Sequence, residues 1–223
     1  MRALVWLGLG LLGIGCGSNS ARPQTGAPVI WIAGDSTARA GNGGESNGKW
    51  GWGDKLQPHV GLVVVNAAKS GRSSRSYLAE GNWNKIVEEG KPGDYVLIQF
   101  GHNDSSPNHE RWSLPGFGEE TENSVHTFGW YLRTMVRQAK EHQLKPILLS
   151  PTRMRNGQLL RDYREWTRKV AKQESVPFMD VFAEARPAPS AYADEVHPTS
   201  EGAELIAGVV AKLLAKEGIP PSR

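Results

Sequence analysis

The chain of 223 residues contains one cysteine, Cys16, so no intrachain disulfide can form and the domain must be held together by its packed core. It also lacks a long hydrophobic run. The longest, Ala3 to Ile14, is about a dozen residues, against the roughly twenty that a membrane-spanning helix takes. Charge of one sign is scarce as well. Lys and Arg number 26 and Asp and Glu 23, giving a formal charge of +3 with no polybasic block. That excludes the clustered basic stripe of a nucleic-acid-binding surface. No internal repeat or low-complexity tract interrupts the sequence.

Arg2 and the apolar stretch Ala3 to Ile14 have the layout of an export signal. Cys16 stands where a bacterial lipoprotein signal places its lipidated residue, although Gly13 occupies a position where such signals usually carry leucine. The expected product is secreted or exported, and touches a membrane only through a lipid at Cys16. The alternative is an ordinary secretory signal whose cleavage discards Cys16. Residues 1–16 are therefore set aside as a signal, 17–27 as a polar linker, and 28–223 form a single domain of a length that one core can serve.

Within that domain, short apolar runs alternate with helical patterns. Strands are expected at Val29 to Ala33, Leu62 to Asn66, Asp94 to Phe100, Pro146 to Ser150 and Pro177 to Val181. Their near-continuous branched residues suit strands buried on both faces. Val125, Phe128, Leu132, Met135, Val136 and Ala139 share one helical face, as do Leu205, Ile206, Val209, Val210, Leu213 and Leu214. Further helices are expected over Leu160 to Gln173, Gly53 to Gln57 and Trp83 to Glu88. This alternation predicts an α/β domain with a parallel sheet and helices on both faces, whose ligands bind beyond the carboxyl ends of the strands.

Gly34-Asp35-Ser36-Thr37 follows the first strand, where a serine on a tight turn stays accessible to substrate. Asn66 to Ser74 follows the second strand, Gly101-His102-Asn103-Asp104 the third, and Asp194-Glu195-Val196-His197 precedes the last helix. Serine hydrolysis needs a nucleophile, a base, a group that orients the base, and donors for an oxyanion. Ser36, His197 and Asp194 are the candidates for the first three. Gly71 and Asn103, with the Ser36 N–H, are candidates for the donors. Singly, each has a plainer explanation: turn serine, helix-entry histidine, local cap, turn glycine, Asx turn. Their joint placement at the strand ends favours the catalytic set.

These blocks, in this order, resemble the SGNH (GDSL) hydrolases. Within them the chain looks most like the rhamnogalacturonan acetylesterase branch, on Gly34 to Ala38 with Trp50-Gly51-Trp52-Gly53, Asn66-Ala67-Ala68 leading into Gly71 to Tyr77, Lys91 to Asp104, His126 to Arg133 and Pro146 to Pro151. The resemblance implies a three-layer α/β/α sandwich on a five-stranded parallel sheet, a flavodoxin-like arrangement that needs no metal or cofactor. It also implies a serine esterase removing acetyl groups from acetylated polysaccharide or oligosaccharide, most of all acetylated rhamnogalacturonan (pectin), and a monomer is expected. Trp50, Trp52, Arg72 and His102 are candidate substrate contacts, with core packing or a structural ion pair as the alternative for each. The segments Ser113 to Asn123 and Ala183 to Ala193 are shorter than in relatives and would wall the cleft. Three other functions stay open: an esterase or lipase for another acyl ester, a non-catalytic carbohydrate-binding lipoprotein, and a metal-dependent hydrolase built on His102, Asp104, His109 and His197.

Overall fold

The computed structural model describes residues 26–39, 47–106, 112–156 and 160–222. The chain runs through β1 (Val29–Gly34), β2 (Val63–Asn66), α1 (Ser74–Ala79), α2 (Asn82–Glu89), β3 (Tyr95–Gln99), β4 (Thr121–Glu122) and β5 (Val125–His126). It continues through α3 (Phe128–Glu141), β6 (Lys145–Leu149), α4 (Arg161–Gln173), β7 (Phe178–Met179), α5 (Val181–Glu184) and α6 (Ser200–Lys216). Five strands form one parallel sheet in the order β2-β1-β3-β6-β7. The small β4–β5 ribbon is antiparallel and separate.

The two-residue period of the strands sorts their side chains into two cores. Trp31, Ala33, Val96, Ile98 and Leu148 pack with Tyr77, Trp83, Ile86 and the buried faces of α3 and α4. Ile30, Ile32, Leu97, Ile147 and Leu149 point the other way, against Trp52, Leu56, Val181 and α6. Each such side chain contributes roughly 1.5–3 kcal/mol on full burial, which is how a domain without disulfides holds its three layers. The α/β/α sandwich expected from the sequence is confirmed.

Several element ends differ from expectation for local reasons. Asp94 lies outside β3 because its carboxylate accepts from the Val29 and Lys91 N–H groups and from Trp31 Nε1, tying the start of β3 to β1. The last strand is only Phe178–Met179, because Asp180 caps α5 by accepting from the Ala183 N–H. Val125 belongs to the ribbon, and α3 begins after the cap Thr127. The Gly53 to Gln57 helix is instead a pair of 3-10 turns, Trp52–Lys55 and Gln57–His59. Helix α1 was not expected. Its capping box pairs Ser73 with Ser76, where the usual pattern carries Glu or Gln at the second position.

The chain leaves β1 for β2 on one side and returns to β3 on the other, so strand order reverses beside β1. Ser36 and Asn103 lie just past the carboxyl ends of β1 and β3, at that switch point.

Candidate active site

The Asp35–Ala38 turn that carries Ser36 is fixed from beneath by a buried hydrogen-bond chain. Trp52 Nε1 donates to Gln99 Oε1 at 2.5 Å, Gln99 Nε2 to Thr37 Oγ1 at 2.9 Å, and Thr37 Oγ1 to Asp35 Oδ1 at 2.7 Å. The Thr37 N–H also donates to Asp35 Oδ1. On its other side the Asp35 carboxylate faces His102 Nδ1 at 3.3 Å. Burial pushes the Asp35 carboxyl up, but the adjoining His102 ring and the two bonds from Thr37 outweigh it and hold it below its ordinary value. Gly51 lets the following loop lie against this turn, since a Cβ there would sit 2.3 Å from the Ala38 carbonyl.

Ser36 itself is 7% exposed, and its Oγ lies 2.8 Å from His197 Nε2. His197 Nδ1 lies 2.9 Å from Asp194 Oδ2 and 3.1 Å from Oδ1. The Val196 and His197 backbone N–H groups donate to Asp194 Oδ1 at 2.8 and 2.7 Å, and Lys49 Nζ approaches Oδ2 at 3.0 Å. Burial pushes the Asp194 carboxyl up, yet the donors from His197, Val196 and Lys49 prevail and hold it well below the usual carboxylate range. Asp194 is thus a carboxylate in the neutral range, able to hold His197 with a proton on Nδ1 and a free Nε2 toward Ser36.

The loop that carries this pair is anchored on α6. The Thr199 N–H donates to Ala191 O, and Gly202 permits the contact, since a Cβ there would lie 2.2 Å from that carbonyl. Gly71 has φ +74°, in the left-handed region where glycine is favoured. Its loop is tied to β1 by the Lys69 N–H bond to Gly34 O at 2.9 Å. Asn103 Nδ2 donates to Arg72 O at 3.1 Å, so the amide side chain is aimed at the residue beside Gly71. The N–H groups of Ser36 and Gly71 lie beyond the strand ends, outside the sheet ladders.

Asp104 braces the same loops. It is buried, and accepts from the Ser74 N–H, Ser74 Oγ at 2.5 Å and Ser113 Oγ at 2.8 Å. Burial pushes its carboxyl up to about 6 against those donors. A carboxyl raised on folding stabilises fully below its unfolded value of about 3.9 and loses that contribution as pH rises through its folded value. Thermal unfolding at pH 5 and pH 7.5 should therefore show a loss in wild type, on the order of 1 kcal/mol. That loss should be absent in Asp104→Asn; an unchanged pH difference in the variant would contradict it.

Two expected substrate contacts are corrected. Trp52 is fully buried with its N–H on Gln99, and so packs beneath the Asp35–Ala38 turn and presents no face to a sugar. The His102 side chain is 5% exposed and faces Asp35, which removes it from the cleft surface. Arg72 is engaged by Glu80 at 2.8 Å and by Ser70 O, which is its structural alternative. Trp50 is half-buried, with Lys55 Nζ 3.8 Å above its ring. The sequence reading missed Lys49, Gln99 and Ser74; only Gln99, a polar residue at the end of an apolar strand, carried a signal. Among the described residues no group of three or more His, Cys, Asp or Glu side chains is placed to hold a metal ion. His109 and Cys16 lie outside the described residues.

A family model for GDSL-like lipases and acylhydrolases matches residues 32–205. A Bacillus subtilis protein named probable rhamnogalacturonan acetylesterase YesY is 30% identical over 215 residues, covering 86% of this chain and 94% of the relative. Rhamnogalacturonan acetylesterase RhgT of the same organism is 31% identical over 175 residues, 74% of this chain and 70% of that one. Among solved structures, YxiM of Bacillus subtilis superposes with a TM-score of 0.72 at 26% identity, over 86% of this chain; the match spans only 57% of YxiM. Together with the sheet and its order, these matches place the chain in the GDSL-like lipase/acylhydrolase family, as a carboxylic ester hydrolase.

Proposed function

We propose that this esterase removes acetyl groups from acetylated rhamnogalacturonan through an acetyl-Ser36 intermediate. The observation that carries the mechanism is the continuous relay from Ser36 Oγ through His197 to Asp194, with spacings of 2.8 and 2.9 Å. His197 Nε2 takes the Ser36 proton as Oγ attacks the acetyl carbonyl, and Asp194 stabilises the imidazolium that forms. The Ser36 and Gly71 N–H groups and the Asn103 amide hold the oxyanion. His197 then protonates the departing sugar oxygen, and water, deprotonated by the same Nε2, releases acetate from Ser36.

The polymer is inferred from two features. Two relatives named as rhamnogalacturonan acetylesterases, one of them as probable, align over most of their own lengths. A groove of about 610 Å³ beside the Gly71 loop is lined by Arg39, Lys69 and Lys85, which suits an acidic chain. Export through residues 1–16, with or without lipid at Cys16, would bring the enzyme to an extracellular polymer.

Acetate release from acetylated rhamnogalacturonan, acetylated xylan and an aryl acetate tests the assignment. Rhamnogalacturonan should be the preferred polymer. Aryl acetate cleavage without release from it would refute the polymer and leave the mechanism standing. Asn103→Ala should lower kcat about 10²- to 10³-fold with KM little changed; an unchanged kcat would remove Asn103 from the oxyanion site.

A further inference from the structure

A second basic cavity, of about 400 Å³, opens beyond β6 and β7. Four arginines and one carboxylate line it: Arg153, Arg161, Arg164, Arg186 and Glu165. Arg164 is neutralised by Asp180 at 2.5 Å, and Glu165 and Asp180 are both shared with Arg168 outside the lining. Among the described residues no carboxylate pairs with Arg153, Arg161 or Arg186. The cavity is nevertheless built. Arg153 Nε donates to Phe182 O at 2.8 Å and its guanidinium lies 4.4 Å over the Phe182 ring. Arg164 stacks on the same ring at 5.6 Å, and Arg186 Nε donates to Ala183 O at 2.9 Å. Burial lowers the Arg153 pKa, and the charges of Arg186, Arg164 and Arg161 add to the effect, as expected of cations held close together.

Arg153, Arg161 and Arg186 are like charges held together in excess of the carboxylates beside them; such an excess weakens a fold, and local conflict of this kind is expected at binding sites. The cavity also shares the catalytic edge of the sheet. Arg153 O accepts from Tyr192 OH at 3.0 Å, and the Arg155 N–H donates to Glu195 O at 2.9 Å. Both partners belong to the loop that carries Asp194 and His197. An acidic polymer laid across Ser36 and along this loop would run toward the arginines. Guanidinium forks match carboxylates in a bidentate way, and the Phe182 platform holds two of them in place.

We propose that this arginine cavity is a distal subsite for uronate carboxylates of the substrate polymer. The inference rests on the rhamnogalacturonan reading above, but its test is separable from it. Unacetylated oligogalacturonate is titrated calorimetrically into wild type and into Arg161→Ala/Arg186→Ala. Inorganic phosphate and phosphatidylglycerol vesicles serve as the other oxyanion sources. The double variant should bind oligogalacturonate about tenfold more weakly. Its KM for acetylated rhamnogalacturonan should rise by a similar factor with kcat unchanged. Aryl acetate hydrolysis should be unaltered, which also reports the fold. Equal oligogalacturonate affinity in the two proteins would overturn the subsite and leave the esterase reading intact. A loss confined to phosphate or to vesicles would likewise overturn it, in favour of a phosphate or an anionic lipid surface. Variant-sensitive oligogalacturonate binding by an enzyme that releases no acetate from rhamnogalacturonan would keep the subsite and refute the substrate.

Discussion

Ser36→Ala should bring acetate release down to background, a loss of about 10⁴- to 10⁶-fold in kcat. Among the described residues the side chain removed has one hydrogen-bond partner, His197 Nε2, so the variant loses the attacking oxygen and little else. The turn beneath stays pinned by Asp35, Thr37 and Gln99, none of which bonds the Ser36 hydroxyl. Stability should accordingly change by no more than about 1 kcal/mol, and an unshifted thermal transition would show that lost turnover is chemical. A folded Ser36→Ala protein that hydrolyses acetate esters at the wild-type rate would remove Ser36 from the mechanism.

Asp194→Asn should cost about 10⁴-fold in kcat, with KM little changed. Asparagine can turn its amide N–H₂ toward His197 Nδ1, which then carries no proton. The tautomer reverses, and Nε2 bears a hydrogen where it should accept one from Ser36. The Val196 and His197 N–H groups can still find the remaining oxygen, while Lys49 loses the charge it faces. The Asp194 carboxyl is held below its ordinary value, so it stabilises the fold above its unfolded pKa and loses that contribution as pH falls through the folded one. Through the neutral range it stays ionised, so the acidic limb of kcat/KM belongs to another group. An Asp194→Asn enzyme with wild-type kcat at pH 7.5 would contradict the assignment.

The layers of the fold were legible because the strands are short apolar runs whose alternate residues feed two cores, as Ile30 and Trp31 do on β1. Their ends were less so. Asp94 and Asp180 sit within apolar runs, and only the structure shows that each is an acceptor for neighbouring N–H groups. The residues placed around Ser36 were legible by type and order, since each lies on a loop at one sheet edge. The supporting chain was not, because Trp52, Gln99 and Thr37 meet only through β1–β3 pairing and a loop folded back on its turn. Tryptophan beside glycine after the Ser36 turn suggested a sugar platform; the burial of Trp52 makes it a support. Lys49 gave no signal at all, since its partner Asp194 stands at the other end of the domain.

The central claim is that the acetyl group passes through Ser36, and a fluorophosphonate tests it most directly. Titrated into the wild-type enzyme, the reagent should place one adduct on Ser36, identified by peptide mass spectrometry. Acetate release from acetylated rhamnogalacturonan and from an aryl acetate should fall in proportion to that labelling. Full labelling of Ser36 with acetate release intact, or inactivation with the adduct on another residue, would contradict the account.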